Sequence, residues 1–292
     1  MHVVAVPMLK LPTPREFLVL IKLRITGLVT LTAIGGYGLA PSPVWDLHFV
    51  ALAAGVFLIT AGASAVNMYL ERGTDALMDR TRKRPLPMKS VEPAMALGLG
   101  MLLSVLGLAT LAAIGAQPAG IALASWVLYV LVYTPLKAKT SLNTVIGAIP
   151  GALPPLIGWA ATGASLSFFA LVLFLLMFVW QIPHFLALAW MYRADYAQGG
   201  LQMLPGEDSE GGMVGRQALI YALCLVPISA AMPLLADDAS LFGAFFTIGL
   251  SLIFVGFAAR FARRRDRQTA ASLFGVSLLY LPSVFAVMFL SR

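Results

Sequence analysis

The chain has 292 residues, 60% of them hydrophobic and only 11% charged, with a formal net charge of +7. Soluble domains average about 25% charged residues, which excludes an ordinary globular protein. A single cysteine, Cys224, excludes an internal disulfide and carries no information on compartment.

The first ten residues, MHVVAVPMLK, lack a basic stretch followed by an apolar core, so no cleaved signal peptide is expected. Hydrophobic stretches follow at about 17–40, 47–70, 93–114, 118–135, 142–162, 166–190, 217–235, 240–260 and 270–290. Each is of a length that crosses a bilayer core as a helix, about 20 residues. The predicted fold class is all-α: a polytopic membrane protein of nine transmembrane helices in one domain spanning 1–292. Residues 1–14 form a short cytoplasmic N-terminal segment in this reading.

Charge orients the spans. With the N-terminus inside, Lys10, Arg15, Lys22 and Arg24 lie at the inner end of the first helix, and the 71–92 connection is strongly basic. Lys137, Lys139, Arg193, Arg216 and the 260–267 arginines also fall inside, leaving Arg292 outside. Asp46, Asp237 and Asp238 mark the outer connections. The basic residues hug membrane edges, which suits anionic lipid headgroups as partners and argues against nucleic acid. The expected location is the cell membrane. Helices 1–4 and 5–8 would run in the same sense, as in a parallel repeat.

The segment NMYLERGTDALMDRTRKRPLP, residues 67–87, holds the densest polar pattern. Asn67, Glu71, Asp75 and Asp79 recur every four residues, a step of about 6 Å and 40° along a helix. They line one drifting stripe, although Gly73 weakens the helix there. Oxygen donors without clustered histidine or cysteine suit a hard cation such as Mg²⁺, held by carboxylates and substrate phosphates. Arg80, Arg82, Lys83 and Arg84 follow at once and can pair with phosphate oxygens. A solvated, self-paired loop would explain the bases, but not Asn67 and Glu71 at the end of an apolar helix.

Other polar groups cluster at the same level. Lys22 reads as a side chain snorkelling to the headgroups, and the deeper Arg24 as one facing a buried anion. Tyr133, Lys137, Lys139, Ser141 and Asn143 gather at the inner end of helix 4. Pro150, Pro154 and Pro155, with Gly147 and Gly151, would bend helix 5 and open a cavity near the midplane. Helix 6 carries His184 beside Trp180 and Gln181, with Arg193 and Asp195 at its edge. Asp195 could serve a second cation or orient an arginine. Together these groups predict one site at the cytoplasmic face.

The strings KLRITGLV, NMYLERGTDALMDRTRKRP, YTPLKAKTSLNTVIGAIPGALPPLIGW and WQIPHFLALAWMYRADYAQGG with QMLP resemble the protohaem IX farnesyltransferase branch of the UbiA-type intramembrane prenyltransferases, over about residues 15–290. The resemblance implies nine spans around a central cavity and Mg²⁺-assisted ionisation of farnesyl diphosphate. The farnesyl group would join a vinyl group of haem b with addition of water, giving haem O. Haem b is thus a substrate and Mg²⁺ the cofactor. The superfamily's first Asp-rich motif matches Asn67, Glu71, Asp75 and Asp79, with Glu71 where many members have Asp. Its second motif usually has two Asp four residues apart, whereas here Asp195 is followed by Gly199. Leu23 stands where the family often has Pro.

On this resemblance Asn67, Glu71 and Asp75 hold the metal, with Asp79 and Asp195 supporting. Arg24, Arg80, Arg84, Lys137 and Lys139 neutralise the diphosphate, and Tyr133, Asn143 and Arg193 complete the substrate contacts. Catalysis would centre on Asp75, Asn67, Glu71 and Lys137. His184 is the candidate haem contact, an axial iron ligand. Haem A synthase would be a fitting haem-handling partner, though no residue points to it. The alternatives are a quinone-precursor or chlorin prenyltransferase and, in a different class, a transporter of an anionic metabolite.

Overall fold

The computed structural model describes residues 11–236 and 240–291. Lys10, Asp237, Asp238 and Arg292 of the charge pattern lie outside them, as does the segment preceding Leu11. Among the described residues the chain is helical, with no strand. Eight helices or helix runs are long and apolar enough to cross a membrane, or nine when a bent pair is counted as one span.

That pair is α1 (Pro14–Leu20) and α2 (Leu23–Gly38), bent by 53°. The first span is therefore broken where the hydrophobic pattern predicts one continuous helix. Lys22 sits at the break in the left-handed region, φ 48°. A non-glycine residue there costs about 1–2 kcal/mol and persists where the surroundings fix it. α3 (Leu47–Leu77) starts on an Asp46 cap and runs unbroken through Gly73. The glycine penalty, about 1 kcal/mol, is outweighed by the pairs that the last two turns make.

α4 (Pro93–Ile114) returns alongside α3. α5 (Ala116–Val127) passes into a π-helical segment, Leu128–Tyr133, and then α6 (Thr134–Leu136). Pro135 lacks the N–H that would continue the i→i−4 ladder, and one-turn widenings of this kind recur at functional sites. The fifth predicted span is two helices, α7 (Asn143–Ala152) and α8 (Pro154–Ala161), divided before the Pro154–Pro155 pair. α9 (Phe168–Met191) is followed by the short α10 (Arg193–Gln198) and α11 (Leu204–Glu207). α12 (Gly212–Leu234), α13 (Leu241–Arg264) and α14 (Arg267–Leu290) complete the bundle.

The largest core cluster centres on α9, where Leu173, Leu176, Ile182 and Leu186 belong to a core shared with α12 and α14, and α13 packs on α12 and α14. α2 packs on α3 and α8, and α7 on α9. The ring closes where Phe285 and Phe289 of α14 lie against Gly35 and Gly38 of α2. Inside it, Ala152, Met177 and Leu281 pack with Phe174, Phe178, Trp180 and Phe285. This apolar zone lies deeper in the bundle than the α3 C-terminus, where the chemistry-bearing residues gather.

Candidate active site

The last turns of α3 carry the candidate site. Asn67 is fully buried and joins two neighbouring elements: its Nδ2 donates to Thr134 Oγ1 at 2.9 Å, and its Oδ1 accepts from Lys22 Nζ at 2.6 Å. One turn on, Glu71 Oε1 accepts from Lys137 Nζ at 2.7 Å. One further turn on, Asp75, only 1% exposed, pairs through Oδ2 with Arg84 Nη1 at 2.8 Å. Each rung of the oxygen ladder thus holds one cationic head group, delivered by a different segment.

Local folding explains the delivery. The left-handed turn at Lys22 swings its side chain inward, while Arg24, one residue into α2, is exposed and has no ion pair among the described residues. The expected roles of these two cations are therefore exchanged. The π-helical turn aligns Thr134 with Asn67, and Thr134 Oγ1 donates in turn to the Tyr129 carbonyl at 2.8 Å. The Tyr133 ring occupies the space that a side chain at Gly147 would need, and Lys137 Nζ lies 4.5 Å above that ring. Thr81 Oγ1 donates to the Asp75 carbonyl at 2.8 Å, satisfying a helix-end acceptor while the chain folds back to bring up Arg84.

The remaining predicted residues divide. Asp79 is exposed and pairs with Arg82 at 3.1 Å, outside the ladder. Asp195 accepts from the backbone N–H groups of Asp79 and Arg80 at 3.2 and 3.1 Å. Arg80 lies over the rings of Tyr192 and Tyr196, at 5.2 and 5.7 Å. Burial pushes the Tyr196 hydroxyl above its ordinary value, so it meets Arg80 as a neutral phenol. Asn143 is buried and donates to the Thr140 and Gln202 carbonyls, both at 2.7 Å. Lys139 is exposed without a side-chain partner among the described residues, and Arg193 is folded onto Trp190.

His184 lies apart from the ladder, between α9 and α14. It stacks between Trp180 and Phe274, and its Nδ1 is 2.7 Å from Ser277 Oγ. The Ser277 hydroxyl also lies 2.6 Å from the Phe274 carbonyl of the preceding turn.

The oxygen ladder fits a hard cation: two carboxylates and a carboxamide, each already drawing positive charge onto one oxygen. Among the described residues Asp75 pairs with Arg84, and Glu71 is hydrogen-bonded by Lys137 and by the Asn67 side chain. Asp79 and Asp195 do not join this set, and no three His, Cys, Asp or Glu side chains converge on a common metal-sized point among the described residues. Of the five residues expected at a metal, Asn67, Glu71 and Asp75 share the ladder, while Asp79 and Asp195 lie outside it. Lys22 and Thr134 were missed as partners in the sequence, although the Thr-Pro step at 134–135 was a cue to the widened helix.

Residues 29–290 match the UbiA prenyltransferase family. A protohaem IX farnesyltransferase of Solibacter usitatus is 37% identical, with 95% of this chain and 99% of that protein aligned. One from Myxococcus xanthus is 40% identical, covering 97% and 96%. Among solved structures, a digeranylgeranylglyceryl phosphate synthase superposes with a TM-score of 0.78 at 17% identity, covering 95% of this chain and 97% of that one. A UbiA homologue from Archaeoglobus fulgidus bound to GPP and Mg²⁺ gives 0.67 at 17%, covering 94% and 99%. The structural likeness establishes the helical architecture, the sequence match spans it from α2 to α14, and the chain belongs to the UbiA prenyltransferase family.

Proposed function

We propose that the protein transfers the farnesyl group of farnesyl diphosphate to a vinyl group of haem b, with addition of water, giving haem O and diphosphate. The observation that carries this is identity of 37–40% over nearly the whole chain to protohaem IX farnesyltransferases. The ladder supplies a fitting site for the diphosphate. Asn67, Glu71 and Asp75 would hold Mg²⁺, which when bound neutralises charge on the diphosphate oxygens. Lys22, Lys137 and Arg84, freed from the ladder, then face the leaving group.

The C1–O bond of farnesyl diphosphate breaks with its electron pair on the diphosphate. Charge developing there meets fixed cations in a site of low dielectric, and such preorganised electrostatics dominate rate enhancement in most enzymes. C1 joins the terminal vinyl carbon, the positive charge passes to the carbon beside the porphyrin ring, and water adds there with loss of a proton. An allylic cation needs a water-poor chamber, which Phe174, Phe178, Trp180 and Phe285 can line. His184 is the proposed haem contact, an imidazole stacked on Trp180 and Phe274 and able to ligate iron. The basic pattern supports a cytoplasmic N-terminus and a site at the cytoplasmic face of the cell membrane.

The test is product analysis. Purified protein with haem b, farnesyl diphosphate and Mg²⁺ should yield a haem heavier by farnesyl plus water, and the product should vanish with EDTA. Prenylation of a quinone precursor in its place would keep the diphosphate site and reject the acceptor.

A further inference from the structure

The connection that follows α9 touches both segments that bring cations to the ladder. Asp195 spends one oxygen on the Asp79 N–H and the other on the Arg80 N–H. These are the first two residues beyond Met78, which ends α3. From there the chain is a tight turn: the N–H groups of Thr81 and Arg82 donate to the Met78 carbonyl, and that of Arg84 to Thr81. Fixing Asp79 and Arg80 therefore fixes Arg84, whose guanidinium must reach Asp75.

Three further contacts reinforce the hold. Tyr192 and Tyr196 sit beneath the Arg80 guanidinium. Gly199 packs on Met78 so closely that a Cβ there would meet Met78 Cγ at 3.0 Å. A few residues later the Gln202 N–H donates to the Lys137 carbonyl at 2.7 Å, and its carbonyl accepts from Asn143. One connection thus holds the carriers of both Arg84 and Lys137.

We propose that residues 192–202 are a clamp in which Asp195 is a positioning residue, and that the ladder alone binds metal, as a single-ion site. This rests on the ladder being the metal–diphosphate site. Two successive backbone N–H groups facing one carboxylate form an anion-binding concavity, with the side chain as its anion. A metal taking Asp195 would hand those exposed donors to water and release the turn that they hold. The cleft beside it is lined by Asp79, Arg80, Met191, Tyr192, Ala194 and Asp195. Asp79, its other carboxylate, is turned to Arg82.

The experiment uses the full chain in detergent with the unreactive thio analogue of farnesyl diphosphate and Mn²⁺ as the probe. Bound Mn²⁺ is read by EPR, and backbone order by amide hydrogen exchange. Wild type and Asp195→Asn should each bind one Mn²⁺ with similar affinity, while Glu71→Gln should weaken it by more than about tenfold. Asp195→Ala should lose exchange protection across residues 79–84, with α9 unchanged. A second Mn²⁺ in wild type that disappears in Asp195→Asn overturns the proposal, as does unaltered exchange in Asp195→Ala. If Glu71→Gln binds Mn²⁺ as wild type does, the ladder assignment fails instead, and the exchange result alone decides the clamp.

Discussion

Two regions of the bundle bury polar side chains among apolar helices, and they do so in opposite ways. Between α12, α13 and α14, Ser229, Thr247 and Ser251 are fully buried. The Ser229 and Ser251 hydroxyls lie 2.7 Å apart, Ser251 is 2.9 Å from the Tyr280 hydroxyl, and Thr247 donates to the Ser229 carbonyl. Each of these groups is short or aromatic, neutral, and satisfied by a neighbour or a backbone carbonyl. At the end of α3 the groups are charged and come from separate segments, paired as ions across them. A polar residue at membrane depth is therefore a poor sign of chemistry by itself. Charged groups brought together from separate segments distinguish the α3 end from the neutral cluster.

Substitution in the two regions should separate them sharply. Asp75→Asn keeps an acceptor for Arg84 but loses the charge, so turnover should fall by about 10²–10³ or more with the thermal midpoint little changed. Near-normal turnover would remove Asp75 from the chemistry. Ser251→Ala should do the reverse: turnover within about twofold of wild type and stability lower by about 1 kcal/mol, read as a lower thermal midpoint in detergent.

A second contrast lies within one turn of chain. Lys22→Met leaves Asn67 Oδ1 without its donor and removes a cation from the site, so kcat/KM for farnesyl diphosphate should drop by about 10–100-fold. Arg24→Ala removes an exposed side chain and should change it by less than about threefold. The opposite ranking would mean that the left-handed turn at Lys22 does not persist with substrate bound.

Much of this was legible in the sequence. The spans, their short connections and the four-residue stripe follow from composition and helical period. Asn67, Glu71 and Asp75 share that stripe as the spacing predicts, Asp79 leaves it where the helix ends, and the meeting with Lys137 and Arg84 is visible only in three dimensions. What periodicity could not show is where a helix breaks. Lys22 and Arg24 differ by two positions, about 200° on an ideal helix, and only the turn between α1 and α2 decides which faces inward. Asp195 shows a different limit. Its charge and its place at a membrane edge suit a metal ligand, and only three-dimensional proximity reveals that two backbone N–H groups already occupy it. Segment 67–87 is indeed part helix and part turn, but the helix runs through Gly73 and ends at Leu77, because propensity is a weak prior against buried pairing.

Asp266 offers the smallest effect and the cleanest control, because it is the same residue type at the same end of the bundle as Asp75. It caps α14, with Oδ1 accepting from the Thr269 N–H at 2.7 Å and from the Thr269 hydroxyl at 2.9 Å. Those bonds to the ionised form, the backbone one foremost, hold its carboxyl below the ordinary value. A depressed folded value means that the cap's contribution is present above the unfolded pKa, about 3.9, and is lost as pH falls through the folded one. The thermal midpoint of wild type should therefore sag below about pH 4. Asp266→Asn, which retains a capping oxygen but cannot titrate there, should show less of that sag, with turnover at neutral pH unchanged. Loss of turnover in Asp266→Asn would mean that charge at this end matters beyond the ladder, and the division between capping and catalytic carboxylates would have to be redrawn.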